Sequence, residues 1–380
     1  KTIQFKKTKI GSFYLYFTYV GKYEEILNHK ENTKFIVGNV LAFNNQSINI
    51  DTIQNDYVKF SKIYKKDLDI VRNILGSSVM VSIKNEIISF RSDLISTIPT
   101  FFYVMSDGSH IFSSHINFIN KIYSNLILDN VSSVEFLNFG NISFPFTIYK
   151  DVSQLSPASV STYDSKNFLL KKNTYWRPHS NEYFKSLEQA SNNINKIIHQ
   201  HVKLCMHNIK KNALLMSGGE DSRLLACIMK KYGKFDGYII LEKHNREYDL
   251  ALKSSQKIGF DLSLISMSDN FYFDILNQAI NITGNSNQYF HMFSLQKKLV
   301  DKLSDQNTVN VAQGYFSDVL LKGSRIHVSV LWRKFGILRK INSLKQTILN
   351  PKIFKIYKNK YFDKVMERRK LLKKNDYYKG

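Results

Sequence analysis

Residues 213–222 read Ala-Leu-Leu-Met-Ser-Gly-Gly-Glu-Asp-Ser, a short apolar strand that runs into a glycine pair and then into a helix pattern from Ser222. Strand, glycine loop and helix in that order belong to parallel α/β sheets, and the arrangement makes an anion site largely out of backbone. Gly218 and Gly219 let the chain turn tightly and aim N–H groups inward, while the start of the helix adds partial positive charge. Ser217 and Ser222 can donate hydroxyl hydrogen bonds to phosphate oxygens. Asp221 repels an anion, so its presence calls for a divalent cation between it and the phosphates. No lysine precedes the final serine, which excludes the G-x-x-x-x-G-K-[ST] phosphate loop.

The chain changes character on the two sides of this loop. Before it, Phe35 to Phe43, Ser78 to Ile83, Ile87 to Arg91, Thr100 to Met105 and His110 to Ser113 read as strands bounded by turn signals, which predicts an antiparallel sheet domain. Between Ser186 and Asn212, Ala190, Ile194, Ile197, Ile198, Val202 and Cys205 recur at helical spacing. From Ala213 onward, strands at 213–216, 238–241, 262–265 and 308–312 alternate with helices, including one over Glu247 to Ile258, which predicts a parallel sheet with helices on both faces. Beyond Arg325 lies a helical pattern dense in Lys and Arg, with only Asp363, Glu367 and Asp376 as acids. At 380 residues the chain exceeds what one core usually fills. The expected organisation is 1–180, 181–326 and a basic helical tail over 327–380, an α+β half followed by an α/β half.

The loop resembles the SGG-x-DS signature of the ATP pyrophosphatases, which cleave ATP between the α and β phosphates. Five specified residues in that order arise by chance at roughly one position in a million. Further segments resemble the asparagine synthetase family. Glu247, Ala251, Ser255 and Gly259 fall four apart on one helical face, as in that family's helix beside the nucleotide. In the segment 314–323, Gly314, Asp318, Leu320 and Gly323 match the family's G-D-G-A-D-E-L-F-G-G, whereas Tyr315 and Val319 replace acids. Earlier, Arg91 and Asp93, then Pro99, Phe102 and Tyr103, then Phe112-Ser113-Ser114 resemble the amidotransferase core. Gln154-Leu155-Ser156-Pro157 and Tyr175-Trp176 resemble the segments that end it.

The resemblance implies a degenerate amidotransferase-like antiparallel domain of the N-terminal-nucleophile (Ntn) type, then an ATP-pyrophosphatase domain of the adenine nucleotide α-hydrolase kind. It implies ATP and Mg2+ as cofactors, with ATP held by Ser217, Gly218, Gly219, Asp221, Ser222, Glu247 and Gly314 and the metal by Asp221 and Asp318. The implied reaction adenylates a carboxylate, releases pyrophosphate and lets an amine attack the acyl-adenylate to form an amide. The family's glutaminase relies on an N-terminal cysteine; here Lys1 and Thr2 stand first and no cysteine precedes Cys205. That loss resembles β-lactam synthetases and lasso-peptide cyclases, so the amine is expected from the substrate or free ammonia. The general base is not identifiable.

Composition bears on the rivals. A formal charge of +23 favours a PP-loop tRNA-modifying enzyme, but an AT-rich coding bias also enriches Lys, Asn, Ile, Phe and Tyr, and no cysteine pair is present for sulfur transfer. A nucleic-acid partner is not expected. A non-catalytic scaffold or partner subunit is the alternative favoured by Tyr315 and Val319, and a protein partner or homo-oligomer stays open. The two cysteines, Cys205 and Cys227, are expected as small apolar core residues. With no apolar run near the roughly 20 residues that span a bilayer, no clean signal sequence and no disulfide framework, a cytoplasmic setting is expected.

Overall fold

The computed structural model describes residues 4–10, 13–19, 32–43, 46–47, 74–123, 125–167, 169–177, 184–206, 211–268, 270–271, 276, 278–279, 284, 299–303, 310–314 and 361–374. The chain divides into two compact units, one of Lys1–Ser132, Ile142–Asn193 and Lys379–Gly380, the other of Ser133–Asn141 and Ile194–Tyr378.

The first unit is antiparallel. A hairpin joins β1 (Gln4–Ile10) to β2 (Phe13–Tyr19). Then come β3 (Asn32–Phe43), β4 (Gln46–Ser47), β5 (Ile74–Lys84), β6 (Ile87–Ser92), β7 (Phe101–Val104) and β8 (His110–Ser113). Two helices follow, α1 (Ile116–Ile122) and α2 (Asn130–Phe139), the latter belonging to the second unit from Ser133 on, and then β9 (Val152–Gln154), β10 (Ser159–Asp164) and β11 (Leu169–Thr174). A six-stranded sheet has the order β11-β10-β6-β5-β3-β4 and a three-stranded sheet the order β8-β7-β9. The turn between β5 and β6 places Asn85 at φ 53°, a conformation that asparagine tolerates better than most residues. Period-two alternation sends Val79, Val81 and Ile83 of β5 into one core with Ile88, Phe90 and Tyr163. Phe102 and Phe112 of the smaller sheet pack onto that core, with the Phe112 ring 4.6 Å from that of Phe90.

The second unit is built on a parallel sheet. From α3 (Leu187–Met206) the chain enters β12 (Asn212–Leu215), α4 (Glu220–Lys230), β13 (Asp236–Leu241), α5 (Arg246–Ile258) and β14 (Leu262–Ser266), and later β15 (Asn310–Gln313). The order is β14-β13-β12-β15, with every pairing parallel. Alternation assigns each strand residue a face. Leu214, Met216 and Ile239 meet Val202 and Met206 of α3, Ala226 and Met229 of α4, and Ala251 of α5. Ala213, Tyr238 and Ile265 meet Leu299 and Leu303 on the opposite face. Helix-bearing chain therefore covers both faces, which explains why 213–216 and 238–241 read as unbroken apolar runs.

Two sequence expectations need correction. Cys227 is exposed and Cys205 only half-buried, so neither is a core residue: Cys227 lies on the side of α4 turned away from Ala226 and Met229. On α3, Ile197 is 62% exposed, and the buried stripe runs through Ile198, Val202 and Met206 instead. Of the basic tail, α6 (Asp363–Lys374) is described, while 327–360 lies outside the described residues. Among the described residues no helix is long and apolar enough to cross a membrane.

Candidate functional site

From β12 the chain builds outward through β13 and β14, then returns to place β15 on the other side of β12. Where strand order reverses in this way, the carboxyl ends of the two flanking strands open a crevice, the usual ligand position in open α/β sheets. The loop Ser217–Gly219 leaves the carboxyl end of β12, and Gly314 follows the last residue of β15.

The loop is tied from inside. The Met216 N–H donates to the Tyr238 carbonyl at 2.7 Å, carrying the sheet one residue past β12. Ser222 is 4% exposed; its Oγ accepts the Ser217 N–H at 3.1 Å and lies 3.0 Å from the Ser217 carbonyl and 2.9 Å from the Ser217 Oγ. The Gly219 N–H donates to the Ser217 Oγ at 3.2 Å. The Ser222 hydroxyl thus holds the loop's shape, and the half-buried Ser217 is the nearer of the two to solvent. Gly219 caps α4 in an extended conformation, φ −74° and ψ 163°, with no side-chain hydrogen bond to the first turn. By contrast Asn245 caps α5, its Oδ1 accepting the N–H groups of Glu247 at 2.9 Å and Tyr248 at 3.1 Å.

Two glycines bring the remaining segments in. A Cβ on Gly218 would sit 3.2 Å from both the Cγ and the carbonyl oxygen of Glu247, so α5 approaches the loop as closely as a bare Cα permits. A Cβ on Gly314 would sit 3.1 Å from the Asp221 Cβ and 3.3 Å from the Ser222 backbone nitrogen. Ser217, Gly218, Gly219, Asp221, Ser222, Glu247 and Gly314, read separately from sequence, therefore gather in one place. Asp318, Leu320 and Gly323, with Tyr315 and Val319, lie outside the described residues.

No protein-family model and no curated protein matches this sequence. Among solved structures, the NH3-dependent NAD synthetase from Campylobacter jejuni subsp. jejuni, in complex with a nitrate ion, aligns at TM-score 0.28 and 15% identity over 45% of this chain and 93% of that one. The glutamine-dependent NAD+ synthetase from Acinetobacter baumannii, in complex with ADP, aligns at 0.25 and 10% over 46% of this chain and 32% of that one. The glutamine phosphoribosylpyrophosphate amidotransferase from B. subtilis, complexed with ADP and GMP, aligns at 0.22 and 9% over 62% and 70%. Scores of this size carry no functional weight.

The chemistry of the donors fits a nucleotide triphosphate with a shared cation. Glu220 and Asp221 both stand in the first turn of α4, so an anion reaching the backbone N–H groups there meets negative charge unless a cation lies between. Among the described residues no group of three His, Cys, Asp or Glu gathers. Mg2+ needs none, since it is commonly held by one or two carboxylates together with phosphate oxygens. One contributor escaped the sequence reading: the Arg223 Nε donates to the Gly219 carbonyl at 3.2 Å, setting a cation beside the loop. Its position directly after Asp-Ser was the available signal.

In the antiparallel unit four of the motif residues, Arg91, Asp93, Ser156 and Tyr175, lie about Ser92. Its Oγ donates to the Ser156 carbonyl at 2.8 Å, and its carbonyl accepts the Tyr175 O–H at 2.6 Å. The Arg91 guanidinium lies 4.6 Å from the Tyr175 ring centre, and burial raises the Tyr175 pKa, opposed by the Arg91 charge. Asp93 accepts N–H groups from Ser78, Ile95 and Thr97, so it fixes the turn that leaves β6.

Proposed function

We propose that the chain is an ATP-dependent ligase that adenylates a carboxylate, releases pyrophosphate and passes the acyl group to an amine. The observation that carries this reading is the gathering of the Ser217–Ser222 loop, Glu247 and Gly314 at the carboxyl ends of β12 and β15, where strand order reverses. In this reading the loop N–H groups and the first turn of α4 bind the phosphates. Ser222 keeps the loop in shape, and Gly314 lets the end of β15 pack closely against Asp221 and Ser222. Asp221 and Asp318 would hold Mg2+, which would supply charge neutralisation to the pyrophosphate leaving group. In this reading the amine comes from the substrate or from free ammonia.

ATP–pyrophosphate exchange, run against a panel of carboxylic acids and peptides, tests the proposal. Exchange should depend on Mg2+ and on one class of acid, and Asp221→Asn should lower it roughly a hundredfold, since metal-borne charge stabilisation is worth several kcal/mol. Absence of nucleotide binding in calorimetry, or an Asp221→Asn protein that exchanges like wild type, would leave the scaffold reading in its place.

A further inference from the structure

On the side of α4 and α5 away from the sheet lies an open groove of about 660 Å³. Its wall from α4 carries Arg223, Cys227, Lys230 and Lys231, which share one helical face by their spacing. Lys257 stands opposite on α5, and the apolar surface comes from Leu224, 51% exposed, and Ile258. Four cations therefore face a single acid, Glu220, a ratio well beyond the 54 to 31 of the whole chain. Arg223 and Lys230 each donate to a backbone carbonyl, of Gly219 and Gly259 respectively. Neither Lys231 nor Lys257 has an acidic partner among the described residues.

We infer that this groove docks an acidic amphipathic helix of a partner polypeptide. The argument is charge complementarity combined with an apolar surface. A nucleic acid would match the cations but gains nothing from Leu224 and Ile258, whereas an amphipathic helix sets its apolar stripe on them and its carboxylates against Lys231 and Lys257. Scale agrees: α4 has 11 residues and so runs about 16 Å at 1.5 Å per residue, room for about three turns of a partner helix. The surface is small and its charges are exposed, so binding is modest in strength and weakens with salt. This inference stands apart from the ATP reading, because Lys231, Lys257 and Leu224 lie outside the nucleotide loop.

Cys227 makes the groove directly testable. It is exposed within the groove, whereas burial raises the pKa of the Cys205 thiol and keeps it protonated. The probe is a fluorescein-labelled peptide of about 15 residues, enough to populate a helix, with leucine at i, i+3, i+4 and i+7 and glutamate elsewhere. With the full chain it should give saturable anisotropy that falls with salt, and it should slow iodoacetamide labelling of Cys227, assigned against Cys227→Ser. The pair Lys231→Glu with Lys257→Glu, checked for unchanged circular dichroism, should weaken binding roughly tenfold or more. The inference is overturned by the absence of saturable binding, by equal binding to the charge-reversed protein, or by unchanged Cys227 labelling. It is overturned equally if an oligonucleotide or an anionic vesicle protects Cys227 as well as the peptide does, or if the charge reversal abolishes self-association, which would seat a second copy there.

Discussion

At the scale of single residues, glycines at close approaches decide what the crevice can hold, and each makes a separate demand. Gly314 faces backbone atoms of Asp221 and Ser222, which cannot swing aside as a flexible side chain can. Gly314→Ala should push the end of β15 off the loop by a few tenths of an ångström and weaken nucleotide binding by roughly ten- to a hundredfold, the sensitivity expected of a positioned site. The fold should change little. Gly237 in β13 makes a different demand, since a Cβ there would run into the Phe260 ring in the core. Gly237→Ala should therefore lower the stability of the second unit by about 1–3 kcal/mol through overpacking. Urea midpoints and calorimetric nucleotide affinities for the two variants should diverge in opposite ways. A Gly314→Ala protein that is unstable yet binds normally would remove the glycine from the site.

At the scale of elements, α5 shows how a helix delivers one residue to the site. Asn245 caps its start, and Gly259 ends it in the left-handed region at φ 85°, with its N–H donated to the Ser255 carbonyl at 2.8 Å. Asn245→Ala should cost about 1 kcal/mol and Gly259→Ala about the same, the first by loss of the cap and the second by backbone strain. Only Asn245→Ala should also disturb nucleotide binding, because it frays the turn that holds Glu247 against Gly218; equal effects of both variants on affinity would contradict that division. The helix read from sequence over Glu247 to Ile258 is found at Arg246–Ile258, one residue longer at its start, and its ends are set by caps, which are local chemistry. The same holds for the glycine loop, whose turn is written into the backbone, and for β3 and β5 to β8, whose β-branched and aromatic residues are bounded by turn signals. What escaped was polar burial. β10 turns Ser159 and Ser161 inward beside Tyr163, a pattern with little apolar signal that works because the Ser159 Oγ donates to the Ser156 carbonyl at 2.6 Å. α2 escaped likewise, since Ser132 and Glu135 are both fully buried, the first donating to Asp129 at 2.6 Å. The Ser159 N–H also donates to the Ser92 Oγ at 3.2 Å and Glu135 meets Arg369, partners from elsewhere in the chain that a local window cannot show.

At the scale of the whole molecule, sequence order and compact units part company at α2. Residues 133–141 join the second unit, where α6 supplies their partners from the far end of the chain. The Phe139 ring stacks on Phe362 at 6.3 Å, and the Arg369 guanidinium lies 3.9 Å from its centre. Arg369 Nε also meets the Glu135 carboxylate at 3.0 Å, Glu135 being fully buried and Arg369 29% exposed. A buried carboxylate that loses its cation is costly, about 3 kcal/mol here, the low end of the usual range because Arg369 is partly solvated. A chain cut after Lys360 should therefore keep β12 to β15 but show faster hydrogen exchange over 133–141, since local opening reports local stability. Adding Glu135→Gln to the shortened chain removes the stranded charge and should slow that exchange again, while Glu135→Gln in the full chain should speed it. If exchange over 133–141 is the same in the cut and full chains, or if Glu135→Gln fails to slow it in the cut chain, the ion pair is not what keeps α2 in the second unit.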